Sequence, residues 1–176
     1  MSSFTLALGF GPSDTDFINS IPKEEWKIIR EEAYRHCNSH CAGCGYVPET
    51  LAELSPHIDD CKLGDTNSAS IRILCKACHA IKHFDIAAER GWVTLVNSTY
   101  SQEKLVEICR EGRHILMAEM EANNIIILQH KDVREYASDL KSGKVRNNDK
   151  IKVVFGKNFD WTTKKTNNGH SEPVAP

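Results

Sequence analysis

The chain has 176 residues and a mass of 19.8 kDa, which suits one domain with appendages and excludes two full-sized cores. Hydrophobic residues make up 40% and charged residues 26%, the balance of an ordinary globular protein. The net charge of −2 hides an asymmetry: residues 141–176 hold eight Lys/Arg against three Asp/Glu, so the main body is acidic and would repel a phosphate backbone outside a dedicated site.

The amino terminus MSSFTLALGFGPSD has an apolar run with no basic residue before it and too few residues to span a bilayer. Neither a secretory signal nor membrane insertion is expected. FTLALGF (4–10) reads as a short strand, closed by the Gly11-Pro12 turn. A helix is predicted at about 22–36, with Ser20 as its cap, Glu24 and Glu25 near its positive end, and Trp26, Ile29, Ala33 and Cys37 on one face.

After the cysteine-rich centre, GWVTLV (91–96) reads as a strand. A long helix over 101–122 follows, capped by Ser101, with Leu105, Ile108, Cys109, Gly112, Ile115, Leu116 and Met120 at three- and four-residue intervals. That stripe is read as core. IIIL (125–128) is a strand or a buried continuation, a further helix is predicted at about 131–141, and KIKVVFG is a late strand. From Thr162 onward the absence of apolar content predicts disorder.

Four of the seven cysteines fall in two pairs, CAGC (Cys41, Cys44) and CKAC (Cys75, Cys78), separated by 30 residues. An odd total and two Cys-x-x-Cys knuckles suit metal better than disulfides, which favours a reducing compartment and a cytoplasmic location. Four thiolates complete a tetrahedral Zn2+ shell and leave no open position, so the site is structural. A redox pair or an iron–sulfur cluster are the rivals, and Cys37 and Cys61 lie near enough in sequence to substitute as ligands. Cys109 falls within the helical stripe and reads as a small buried residue.

Cys75 and Cys78 open a helix predicted to run on through HAIKHFDIAA, placing His79 and His83 four residues apart on one face, close enough to share a cation. His57 is expected on a strand, and a loop followed by a helix pinned by zinc at its start would bring it opposite His79.

In order and spacing, CAGCG, HI (57–58) and CKACH resemble the HNH, or ββα-metal, nucleases of the zinc-ribbon type. The resemblance implies His57 as the general base that activates water, and His79 and His83 as ligands of a catalytic ion such as Mg2+, Mn2+ or Ni2+. That chemistry suits phosphodiester hydrolysis, which needs a base of near-neutral pKa and a cation facing the developing charge. Two positions depart from the family pattern. Pro56 stands where a ligand precedes the base, and Ser70 stands where an Asn is usual, with Asp59, Asp60, Asp65 and Asn67 as nearby substitutes.

A looser resemblance, over roughly residues 4–116, is to the DotN/IcmJ-like branch of that superfamily, found in type IV secretion and conjugation systems. It implies a zinc-bearing component of a coupling complex, with assembly in place of cleavage.

The expected fold is α+β, a four-cysteine zinc ribbon with an HNH-like β-hairpin–helix unit and flanking helices. Residues 1–40 form an N-terminal strand and helix, 41–90 the zinc-ribbon core, 91–142 a strand and helical segment, and 143–176 a basic, partly disordered tail. Two functions are carried forward: an HNH-type endonuclease acting on DNA or RNA, and a silent adaptor that meets a protein partner through the 101–122 helix or the basic tail. A nucleic-acid binder that does not cut, working through the tail, is a third.

Overall fold

The computed structural model describes residues 6–9, 18–58, 71–112, 130–146 and 148–161. Helix α1 spans Lys23–His36 and buries Ile29 and Ala33, with Trp26 and Cys37 packed beside them. Glu24 and Glu25 sit in its first turn and Arg35 in its last, as the helix dipole favours. Pro22 occupies the N-cap position with no side-chain cap, so Ser20 does not take that role.

A 3-10 turn at Leu51–Glu53 leads into β1 (Leu54–Ile58), which pairs antiparallel with β2 (Ile71–Cys75) in the register Leu54↔Cys75 through Ile58↔Ile71. Helix α2 (Lys76–Lys82) starts at once from the end of β2, and α3 (Phe84–Glu89) follows. The single helix expected across this stretch is therefore broken at His83, whose φ of −115° and ψ of 53° are not helical. The N-terminal segment occupies the break: Gly9 N–H donates to the Ile81 carbonyl and Phe84 N–H donates to the Gly9 carbonyl. Residues 6–9 belong to no strand, contrary to the expectation for 4–10, because these hydrogen bonds go to a helix junction.

The second layer is built from β3 (Val93–Asn97), α4 (Gln102–Glu111), α5 (His130–Lys141) and β4 (Ile151–Phe155). β3 and β4 pair antiparallel with Leu95 opposite Val153. Ser101 caps α4 as expected, accepting from the Lys104 N–H. The helix stops at Glu111, because Gly112 turns out of it at φ 155°, a region that side-chain-bearing residues avoid. The 101–122 helix is thus ten residues long, and Ile115, Leu116, Met120, the IIIL segment and the chain after Trp161 lie outside the described residues. Leu105, Ile108 and Cys109 are buried, as the stripe required.

Neither two-stranded sheet has enough partners to stand alone. Helix α5 packs on α3, and α4 packs on β4. One buried side chain completes the edge of β4: Gln102 donates to the Val153 carbonyl at 2.7 Å and accepts from the Val153 N–H at 2.8 Å. A glutamine amide carries one donor and one acceptor in the spacing of a peptide group, so Gln102 acts as a one-residue third strand.

Replacing it by Leu keeps the volume and strands both backbone groups. Gln102→Leu is expected to lower unfolding free energy by about 2–4 kcal/mol in urea titration; an unchanged midpoint would contradict this role.

Candidate metal centres

The first cysteine knuckle is a tight turn in which the Gly45 N–H donates to the Cys41 carbonyl and the Cys41 N–H donates to the Tyr46 carbonyl. It is laid against β2 by the Ala42 N–H, which donates to the Ile73 carbonyl at 2.8 Å. The second knuckle is the corner between β2 and α2, with Cys75 at the N-cap of α2 and Cys78 one turn in. The four sulfurs come together with all separations within 4.8 Å, and Cys44 Sγ lies 3.8 Å from Cys75 Sγ. Cys41, Cys75 and Cys78 are buried and Cys44 is half-buried.

The electrostatics fit a cation. Hydrogen bonds from Cys44, Cys75 and Cys78 hold the Cys41 thiol well below the ordinary range, helped by the Cys75 N–H at 3.2 Å. Donating to Cys41 pushes the Cys75 and Cys78 thiols up. The Cys44 thiol is raised by Cys41 but lowered by its hydrogen bonds with Cys75 and Cys78, and its pKa stands below the ordinary value. Sulfurs this close cannot all ionise on their own, and a dication among them would let all four do so. The cluster therefore has the donor set of a structural zinc site. Cys37 is not part of it; its thiol donates to the Tyr34 carbonyl. Cys61 and the substitutes proposed near Ser70 lie outside the described residues.

The second cluster joins His57, His79 and His83, whose ligand nitrogens also lie within 4.8 Å of one another. The rings meet edge to face, with centroids 5.3 Å apart for His57 and His79, 5.1 Å for His57 and His83, and 4.8 Å for His79 and His83. His57 comes from β1, His79 from the last turn of α2, and His83 from the break between α2 and α3. The expected approach of His57 to His79 is observed, and the helix break does not separate His79 from His83. His57 is only 6% exposed, while His79 is half-buried. Arg72 stands directly opposite His57 in the hairpin register, so both side chains leave the same face of the sheet. Pro56, one residue earlier, offers no donor atom.

Three residues around these centres have roles that the sequence alone does not disclose. Gly43 was visible inside CAGC, and its role is steric: a Cβ there would lie 2.8 Å from Cys78 Sγ and 2.9 Å from Cys78 Cβ. Arg110 donates from Nη2 to Cys75 Sγ at 3.0 Å, across 35 residues of sequence that leave no local signal. Burial opposes its charge, but the Cys75 and Cys44 sulfurs outweigh that and its pKa stands above the ordinary arginine value. Tyr46 lies under the same guanidinium and donates its hydroxyl to Glu53 at 2.7 Å.

No family model, no curated protein and no solved structure matches this chain.

Gly43→Ala drives a methyl group into the Cys78 thiol. It is expected to weaken zinc retention against a chelating dye by about tenfold or more, the scale on which supporting residues act at metal sites; wild-type retention would show that the first knuckle has room to yield.

Proposed function

We propose that this chain is a zinc-stabilised HNH-type module that hydrolyses phosphodiester bonds at the histidine cluster. One observation carries the reading: His57, placed on a strand, meets His79 and His83 at the end of the helix that the cysteine knuckles start. Structural zinc needs none of these three side chains.

In this reading His79 and His83 hold a divalent ion, and their imidazoles suit a transition metal. When bound, the ion would supply stabilisation of the charge that develops on the phosphorane and the leaving oxygen. His57 takes the proton of the attacking water at a ring nitrogen; its burial fixes the ring and keeps bulk water from competing for that proton. In this reading Arg72, which leaves the same face of the hairpin, meets a phosphate oxygen.

A second reading rests on Pro56, which removes the ligand position before the base. In it the module is a silent adaptor of the DotN/IcmJ-like kind, retaining the frame and offering α4 or the basic tail to a protein partner.

The two part in a cleavage assay on supercoiled plasmid, linear duplex, single-stranded DNA and RNA with Mg2+, Mn2+ or Ni2+. Hydrolysis predicts ion-dependent cutting that falls by about 100-fold or more in His57→Ala, the usual worth of a general base, and that is likewise lost in His79→Ala. A folded, zinc-loaded chain that cuts none of these substrates refutes the hydrolase and leaves the adaptor.

A further inference from the structure

Arg110 reaches from the last turn of α4 into the cysteine centre. Its Nη2 donates to Cys75 Sγ at 3.0 Å, its guanidinium carbon lies 3.7 Å from the centroid of the Tyr46 ring, and the Trp161 ring lies 5.3 Å away. Four segments distant in sequence meet on this side chain: Tyr46 two residues after the first knuckle, the corner of the second, α4, and the chain following β4. Tyr46 is itself held in place, since Glu53 accepts from its hydroxyl and also accepts from the Thr50 N–H at 3.1 Å.

A dication bound by four thiolates carries a net charge of −2, and three of these sulfurs belong to buried residues. Keeping that charge out of water is costly unless a fixed positive group lies beside it. Arg110 is such a group. Arginine suits the position because its planar fork can donate along one edge while its face stacks on an aromatic ring; a lysine ammonium has no face to stack.

We infer that Arg110 is a positioning residue of the four-cysteine centre: it locks the Cys75 thiolate against exchange and ties the second layer of the fold to the metal. The zinc site is then more than a local staple for the hairpin. Loss of the ion releases α4 as well, and loss of the Arg110 contact loosens the ion.

The inference rests on the zinc reading of the cysteine cluster, and the test separates the two. The full chain, purified with zinc, is first assayed for metal content by elemental analysis. Zinc transfer to a chromophoric chelator is then timed for the wild type and for Arg110→Ala, Arg110→Gln and Arg110→Lys. The sulfur-to-metal charge-transfer band is recorded for each after Co2+ substitution.

Transfer about 10–100-fold faster in Arg110→Ala and Arg110→Gln, with a shifted band, supports the assignment. Arg110→Lys should recover part of the rate, because it restores charge, while its band stays displaced, because the directed N–H···S contact is missing. Lys104→Ala, a change of charge on the exposed face of the same helix, should transfer zinc within about twofold of wild type. Should Arg110→Ala not fold, the Gln and Lys variants, which keep more of the packing volume, carry the comparison. Wild-type rates and bands in the Arg110 variants overturn the inference while leaving the zinc site intact. A wild-type chain that holds no zinc overturns both.

Discussion

Four sulfurs brought within reach of one ion are the constraint on which the rest of this protein depends. The hairpin beside them has two strands of five residues each, too little to hold itself together in water. Closing the chain between the knuckles on a metal can contribute on the order of 10 kcal/mol to folding, comparable to the whole net stability of a small domain. Because Cys75 is both the last residue of β2 and the N-cap of α2, the same closure sets the direction in which α2 leaves the sheet. That direction decides where His79 and His83 fall relative to His57. The histidine cluster is therefore a consequence of the cysteine cluster, one turn further along the helix.

The second layer is attached through a few specific polar contacts as well as apolar packing. Gln102 substitutes for a missing strand at β4, and Arg110 reaches the thiolates from the other end of α4. By contrast the Lys141–Asp85 pair between α5 and α3, though 2.7 Å long, has an exposed lysine and contributes little. Buried or half-buried polar groups with defined partners are where this fold is specified.

Sequence carried much of this and missed the rest for identifiable reasons. The knuckles, the histidine spacing, α1, β3, α5, β4 and the Ser101 cap are local features, and each was readable from spacing, capping or apolar periodicity. Residues 4–10 read as a strand because alternation of apolar residues cannot reveal that Gly9 would bond to a helix junction. The apolar stripe predicts a helix running on past Glu111 because Gly112 sits in register with it, and only its φ of 155° shows the stop. The helix through His79 and His83 looked continuous because nothing near His83 in sequence marks the break. Arg110 and Gln102 were silent since each acts on a partner at least 35 residues away.

The most direct test of the dependence on metal is far-UV circular dichroism of the full chain as zinc is withdrawn by a chelator and then returned. If the cysteine cluster organises the fold, ellipticity falls steeply at about one zinc removed per chain and recovers when zinc, and not magnesium, is added back. A spectrum and thermal midpoint unchanged after complete zinc removal would contradict it, and the hairpin and its helix would then have to be held by apolar packing alone.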